Sequence, residues 1–256
     1  MSTPDPLELL ELAVEAADQA SRLLVERQSV VTVAATKSSP TDVVTAADTA
    51  AERLIRDVIR GRRPDDSVLG EELDSQDGRS SVRWVVDPLD GTVNYLYGLP
   101  LWSVSIAAEI DGMVVAACVD VAALDRRYTA TRAGGAFCND TAIAVSSVSE
   151  LPQALLATGF SYEADVRAAQ GAAVAKLLPQ VRDVRRLGSA ALDLCLVAHG
   201  QVDAFYERGL QPWDAAAGGL IAAEAGAVVQ RSGDRMAAAS PLVAAAFFAL
   251  LDDVGA

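Results

Sequence analysis

Two aspartates three positions apart, Asp87 and Asp90, have the spacing in this sequence that most clearly points to chemistry. They follow an apolar stretch, residues 82–86, that is typical of a β-strand, and Pro88 cannot continue the hydrogen-bond ladder of that strand. Two like charges this close repel each other unless a cation neutralises them. Because the stretch offers oxygen ligands without His or Cys, it favours Mg²⁺ over Zn²⁺.

Gly91 and Thr92, directly after the second aspartate, suggest an anion-binding element. Glycine lets a ligand approach the backbone closely, and the two amide groups would face an anion if a helix begins there. The competing interpretation is an Asp-rich turn that caps a helix, since Asp, Pro and Gly all favour turns. From this stretch alone, both interpretations stay open.

Other acidic residues also have two interpretations. Glu71 and Glu72 follow a short apolar strand and Gly70, and they are either ligands or a solvated pair. Asp214 precedes an Ala- and Gly-rich helical pattern, so it either belongs to a site or caps that helix. Asp48 fits equally well as an ordinary acid in the first turn of a helix.

The elements that must position these residues begin with two helices, predicted over residues 7–28 and 45–59 from their apolar spacing. Two strands, residues 103–110 and 113–119, flank Asp111-Gly112, which is a strong hairpin signal.

The rest of the chain alternates strands with helices, which is an α/β pattern. We predict an N-terminal α+β half, residues 1–145, with most of the metal ligands, and a C-terminal α/β half, residues 146–256, that completes the site; together they form one compact unit. The strands predicted in the second half are 155–158, 181–185, 204–206, 228–229 and 242–246, and the helices are 164–178, 190–199 and 215–225.

The charge and composition of the chain argue against several classes of function. With a net charge of −14 over 256 residues, the chain is poorly suited to bind a nucleic-acid backbone by charge. The N-terminal residues carry acids instead of the basic start of a signal peptide, and the apolar run 241–251 is too short to span a bilayer. The cysteines, Cys118, Cys138 and Cys195, fit neither a disulfide framework nor a zinc site. They indicate buried thiols in a reducing cytoplasm.

Three separated motifs together resemble the inositol monophosphatase family, which belongs to the lithium-sensitive, metal-dependent sugar phosphatases. They are Gly-Glu-Glu at 70–72, Asp-Pro-Leu-Asp-Gly-Thr at 87–92 and Trp-Asp-Ala-Ala-Ala-Gly at 213–218. Residues 39–48 and 186–195 extend the likeness over nearly the whole chain. The resemblance implies an α+β fold, the layered αβαβα sandwich of these phosphatases, and a homodimer.

The same resemblance implies a set of metal ligands for two Mg²⁺ ions. Glu71, Asp87 and the backbone carbonyl of Leu89 match the ligands of a first ion. Asp87, Asp90 and Asp214 match those of a second. The family also has a third, weaker Mg²⁺ near Glu71, so two or three ions per subunit are expected.

Catalytic and substrate-binding roles carry over in the same way. Thr92 resembles the residue that orients the attacking water, paired with the carboxylate of Asp48, and Glu71 is counted with these two as catalytic. Lys37 matches a lysine on a mobile loop near the metals, although a solvated loop lysine is the alternative. The expected substrate contacts are Asp90, Gly91, Thr92, Gly188, Ser189, Ala190, Glu207 and Asp214.

The resemblance predicts Mg²⁺-dependent hydrolysis of a small polyol phosphate, inositol 1-phosphate, by metal-activated water. Histidinol-phosphate phosphatase is the nearest alternative, followed by fructose-1,6-bisphosphatase and adenosine 3′,5′-bisphosphate phosphatase. A different class is a non-catalytic binding protein, since some relatives act on RNA or the transcription machinery. Such a protein could lose Asp90, Thr92 or Asp214, and all three are present. We therefore expect a cytoplasmic enzyme with no nucleic-acid or membrane partner.

Overall fold

The structure is a computed structural model that describes residues 4–30, 33–36 and 43–256. The helices in these ranges are α1 (Pro6–Arg27), α2 (Ala46–Arg62), α3 (Thr92–Leu96), α4 (Ala164–Leu177), α5 (Ala190–Ala198), α6 (Pro212–Glu224) and α7 (Pro241–Val254). The strands are β1 (Val33–Thr36), β2 (Val43–Thr45), β3 (Ser67–Gly70), β4 (Val82–Asp90), β5 (Ser103–Ile110), β6 (Met113–Val121), β7 (Arg126–Thr131), β8 (Gly135–Cys138), β9 (Thr141–Ala142), β10 (Leu155–Thr158), β11 (Asp183–Arg185), β12 (Ala204–Arg208), β13 (Val228–Ser232) and β14 (Arg235–Ala239). Lys37 lies outside the described residues.

Five layers make up the fold. Helices α1 and α2 cover one face of a seven-stranded sheet, and α6 packs on its other face beside α5. The helices α5 and α6 also contact the five-stranded sheet, whose far side is covered by α7, which in turn contacts α4. The predicted layered αβαβα sandwich is therefore confirmed. The division of the chain near residue 145 stays a prediction.

Parallel strand pairs set the position of the site. In the seven-stranded sheet, ordered β3-β4-β5-β6-β7-β8-β9, β3 runs parallel to β4, with Gly70 opposite Val86. In the five-stranded sheet, ordered β11-β10-β12-β14-β13, β10 runs parallel to β12. Parallel neighbours end at the same edge of a sheet. Glu71 therefore emerges beside Asp87, while Glu207 lies in the last part of β12, beyond the end of β10.

The first helix shows why these residues fold locally as they do. Asp5 accepts a hydrogen bond from the backbone N–H of Leu7 at 2.9 Å, and Pro6 occupies the first helical position, where its missing N–H costs nothing. The buried side chains recur at helical spacing and face the sheet. They include Leu9, Leu12, Ala13, Ala16, Ala20 and Leu24. The helix predicted over residues 7–28 is thus confirmed to within one residue at each end.

The prediction that the strand before the two aspartates stops at Pro88 is wrong. Strand β4 continues to Asp90, with Asp87 opposite Ser105 and Asp90 opposite Ser103. Three steps along β4 therefore match two steps along β5, which defines a bulge. The bulge leaves the proline outside the regular ladder, so its missing N–H does not end the strand. It also places both aspartates at the same rim of the sheet.

The strand predicted over residues 242–246 is also wrong, because this segment belongs to α7. Pro241 starts the helix, and Val243, Ala244, Phe247, Leu250 and Leu251 are buried at helical spacing. A short apolar run does not by itself distinguish a strand from a buried helix.

In the C-terminal half the prediction missed one strand, β14, which is buried along its whole length between β12 and β13. In the N-terminal half it did not identify β1, β2, β8 or β9. None of the helices in the described residues has the length and hydropathy needed to cross a bilayer. Cys118, Cys138 and Cys195 are free and buried, as predicted.

Candidate active site

A cleft of about 380 Å³ lies where the ends of β4 and β12 meet the first turns of α3 and α6. Of the site residues predicted from the sequence, it is lined by Glu71, Asp87, Leu89, Asp90, Gly91, Thr92, Gly188, Ala190, Glu207 and Asp214. Asp48 and Ser189 do not line the cleft but hydrogen-bond to residues that do. The fold thus gathers residues that are far apart in the sequence at one location.

Asp87 is the most deeply buried of the cleft carboxylates, with 1% of its surface exposed. Its Oδ1 accepts a hydrogen bond from the backbone N–H of Leu89 at 3.0 Å, which fixes the turn across Pro88. Burial raises the pKa of Asp87 well above the usual aspartate range, and the nearby charges of Glu71, Asp90 and Asp214 raise it further. A cation bound among these groups would therefore strongly stabilise their ionised form.

Asp90 is held from the opposite side of the cleft by the N-terminus of α5. Its Oδ2 accepts hydrogen bonds from the Ser189 hydroxyl at 2.7 Å and from the Ala191 backbone N–H at 2.8 Å. Burial raises the pKa of Asp90 to about 6, and these two donors oppose that rise. Ser189 is also the N-cap of α5, so its hydroxyl serves the helix and Asp90 together. Its predicted role toward substrate stays a prediction.

Asp214 lines the cleft and also takes part in capping α6, although as its third residue and not as the predicted N-cap, which is Gln211. Its role as a metal ligand stays a prediction. It lies in the first turn of α6, where its Oδ2 accepts the Gln211 backbone N–H at 2.7 Å in a capping box. Its carboxylate also lines the cleft, and burial raises its pKa well above the usual range, with Asp90 and Glu71 adding to the effect. Helix capping thus orients a carboxylate toward the other acids.

Thr92 and Asp48 lie together, as the resemblance implied. The Thr92 hydroxyl oxygen is 3.0 Å from Asp48 Oδ1 and 3.1 Å from the Leu89 carbonyl oxygen. A hydroxyl has one proton to donate, so it bonds to one of these acceptors at a time. Asp48 is buried in the first turn of α2, which connects this helix directly to the cleft.

Gly91 connects the last aspartate of β4 to α3 with a φ of +92°, a conformation that favours glycine. A Cβ at this position would lie 2.9 Å from the Leu101 carbonyl oxygen, so space also requires glycine. The backbone can therefore turn sharply between Asp90 and Thr92.

Glu207 lies on β12 and forms the far wall of the cleft. Burial raises its pKa to about 8, Asp90 adds to the rise and Arg186 opposes it. The Glu207 carboxylate lies directly over Gly159, where a Cβ would be 2.1 Å from each of its oxygens. In the metal-free protein at neutral pH this carboxyl group is therefore mostly protonated.

The donor set fits a hard divalent cation. The acidic groups of the cleft offer only oxygen, and burial and mutual repulsion oppose their ionisation unless a cation compensates them. In the parts of the chain that the structure describes, no three His, Cys, Asp or Glu side chains already meet closely enough to enclose an ion. The residues that would hold the metal are Glu71, Asp87, Asp90 and Asp214 with the Leu89 carbonyl.

Comparisons with known proteins agree with this arrangement. The model of the family described as "Inositol monophosphatase family" matches residues 5–249. An inositol-1-monophosphatase of Mycobacterium leprae is 52% identical over 203 residues, which cover 76% of this chain and 70% of the relative. The Nus factor SuhB of Escherichia coli is 42% identical over 224 residues, covering 86% and 84%. The structure of Mycobacterium tuberculosis SuhB superimposes with a TM-score of 0.87 at 43% identity, covering 98% of each chain.

The chain belongs to the inositol monophosphatase family. With relatives named inositol-1-monophosphatase at 47–52% identity, it is a phosphoric monoester hydrolase.

Several residues around the cleft were not identified from the sequence. Glu52 and Arg56 lie behind Glu71, and Gly159 makes room for Glu207. Asp193, on α5, is 1% exposed; its Oδ1 has no hydrogen-bond partner among the described residues, and burial raises its pKa well above the usual range. The sequence did carry a signal for Glu52, which follows Asp48 by one helical turn and therefore shares its face. No local pattern marks Gly159.

Proposed function

We propose that this protein is a Mg²⁺-dependent phosphatase that hydrolyses inositol 1-phosphate to inositol and phosphate. The observation that carries the proposal is the convergence of Glu71, Asp87, Asp90 and Asp214 in one cleft, beside the Thr92–Asp48 pair. The name of the M. leprae relative supports the choice of substrate. A cytoplasmic location and a homodimer belong to the same proposal.

In this proposal the four carboxylates and the Leu89 carbonyl hold two or three Mg²⁺ ions. When bound, the ions supply an acidified water and neutralise the charge of the phosphoryl group. The Thr92 hydroxyl donates to Asp48, which leaves its oxygen lone pairs to orient the attacking water. The amides of Gly91 and Thr92 hold phosphate oxygens. Lys37 remains a proposed loop contact.

The substrate side of the cleft has the chemistry that a polyol needs. Glu207 lines the substrate side of the cleft, where its carboxyl oxygens can accept hydrogen bonds from hydroxyl groups. Gly188 and Ala190 line the adjacent wall, and Ser189, between them, remains a proposed substrate contact. Histidinol phosphate, fructose 1,6-bisphosphate and adenosine 3′,5′-bisphosphate stay as alternative substrates of the same chemistry.

Phosphate release from these four compounds, measured with and without Mg²⁺, tests the proposal. We expect the fastest release from inositol 1-phosphate, and release only when Mg²⁺ is present. Asp90→Asn should lower the rate of release by at least about 100-fold, because removing a metal ligand has a larger effect than removing a residue that only orients a ligand. Preference for another compound would overturn the substrate assignment. No release from any of them would overturn the enzymatic proposal.

Gly159→Ala should weaken substrate binding without changing metal dependence. The new methyl group would lie 2.1 Å from both Glu207 oxygens, so the carboxylate must move away from its present position. We expect KM for inositol 1-phosphate to rise about tenfold or more, since small misplacements of a contact are costly. Steady-state kinetics at several Mg²⁺ concentrations would measure this. Gly171→Ala is the matched control, because a Cβ there meets nothing within 4 Å; equal KM values for the two variants would contradict the prediction.

A second candidate function is a role in transcription, which the name of the E. coli relative favours. Such a role would not need phosphate release. The Asp90→Asn protein therefore separates the two functions. If this variant releases no phosphate but binds a purified transcription complex as tightly as the unmodified protein, the second role is supported; if neither protein binds the complex, it is rejected.

A further inference from the structure

A buried ion pair lies behind the acidic cleft, on the inner face of α2. Glu52 is fully buried and Arg56, one helical turn later, is 7% exposed. Arg56 Nε donates to Glu52 Oε1 at 2.8 Å, and its Nη2 lies 2.6 Å from the same oxygen. A buried ion pair contributes little to stability because both charges lose their hydration. Its presence therefore calls for another explanation.

Both partners of the pair hold the backbone that follows Glu71. The second oxygen of Glu52, Oε2, accepts a hydrogen bond from the Glu72 backbone N–H at 2.7 Å. The guanidinium of Arg56 donates to the Leu73 carbonyl oxygen at 3.1 Å. Two successive residues after Glu71 are thus tied to one rigid helix.

The Glu52 carboxylate also leaves no room for a side chain at residue 70, which directly precedes Glu71. A Cβ at residue 70 would lie 2.1 Å from Glu52 Oε1 and 2.4 Å from its Cδ. Glycine is required here for space and not for an unusual φ. Glu52 therefore contacts the chain both before and after Glu71, which leaves the Glu71 backbone little freedom.

The helix that carries this pair also carries Asp48. One turn before Glu52, Asp48 contacts the Thr92 hydroxyl. A single helix thus sets the positions of the chain that bears Glu71 and of the hydroxyl beside the cleft.

We infer that Glu52 and Arg56 are positioning residues, which fix the Glu71 backbone so that its carboxylate points at Asp87 and completes the metal site. This inference rests on the proposed role of Glu71 as a metal ligand. Outer partners that orient a ligand usually change metal affinity by about 10- to 100-fold when they are removed. The pair should therefore act on metal binding before any effect on substrate.

The test compares two double variants that remove both charges. Glu52→Gln/Arg56→Met keeps a side-chain oxygen that can accept the Glu72 N–H, whereas Glu52→Leu/Arg56→Met does not. Binding of Mn²⁺ to each metal-free protein is measured by electron paramagnetic resonance, alongside Glu71→Gln. Thermal unfolding in EDTA and KM for substrate are recorded for each variant, so that a general loss of stability is recognised.

We expect Glu52→Leu/Arg56→Met, which loses both contacts to the segment after Glu71, to bind Mn²⁺ about tenfold or more weakly. The Gln-containing variant keeps the contact to the Glu72 N–H and loses only the Arg56 contact, so its affinity should lie between that of the Leu-containing variant and that of the unmodified protein. Equal Mn²⁺ affinity for the two double variants would overturn the inference, provided that Glu71→Gln weakens binding. If Glu71→Gln itself binds Mn²⁺ normally, the proposed ligand role fails first. Should the Leu variant not fold, Gly70→Ala replaces it, because its methyl group displaces Glu52; unchanged Mn²⁺ binding would then overturn the inference.

Discussion

Asp87→Asn is expected to abolish phosphate release and, at the same time, to stabilise the metal-free protein. Asp87 is proposed to ligate both principal ions, so its loss should reduce kcat/KM by at least about 100-fold. The same change removes a carboxylate whose ionisation is opposed by burial and by three acidic neighbours. An asparagine still accepts the Leu89 N–H, so the local turn is preserved. The free energy of unfolding in EDTA should rise by roughly 1 to 3 kcal/mol.

Urea unfolding in EDTA and steady-state kinetics measure these two effects on the same preparation. Asp140→Asn is the matched control, because this aspartate is exposed and undergoes the same chemical change. We expect both quantities to stay near their original values in the control. If Asp87→Asn lowered the stability of the metal-free protein, the proposed strain between the cleft carboxylates would be contradicted.

The stability of the metal-free protein should fall as pH rises from about 4 to about 8. Folding raises the pKa of Asp90 to about 6 and that of Glu207 to about 8, mainly through burial. The pKa values of Asp87 and Asp214 are also raised. In this range the folded state therefore binds more protons than the unfolded state, in which these groups titrate near pH 4. Stability then decreases with pH, because deprotonation favours the unfolded chain.

The shifts of Asp90 and Glu207 alone correspond to a decrease of roughly 7 kcal/mol across this range, measured as the free energy of unfolding in urea with EDTA. Glu207→Gln should remove the contribution of Glu207, which accumulates from its unfolded pKa near 4 up to its folded pKa of about 8. Saturating Mg²⁺ should flatten the curve, since a bound cation favours the ionised carboxylates. A stability that rose with pH in EDTA would show that these groups are not strained in the folded state.

Much of the candidate site could be predicted because its residues occur in short motifs. Asp87, Asp90 and Thr92 lie within six positions, so a metal- and phosphate-binding motif could be inferred from the sequence without tertiary structure. The turn at Asp111-Gly112 was equally local, since both residues adopt the positive φ that this hairpin requires. Recognition of the family then connected Asp214 and Glu207 to these motifs.

The features that could not be predicted depend on contacts between distant segments. The bulge that carries β4 past Pro88 exists because β5 pairs on both sides of it. The need for glycine at residue 159 comes from a carboxylate 48 positions later, which no local pattern reveals. The assignment of residues 242–246 was wrong because an apolar run of that length fits a strand and a buried helix equally well.

Helix α5 gives the cleft a connection to the centre of the molecule. All nine of its residues are buried between the two sheets, and its first turn donates to Asp90 through Ala191. A change in the charge or position of the Asp90 carboxylate therefore acts on a helix that is packed on all sides and cannot shift into solvent. By thermodynamic linkage, a ligand in the cleft should raise the free energy needed to open α5 locally. The amide protons of α5, although shielded from solvent, should consequently exchange at rates that report whether the cleft is loaded.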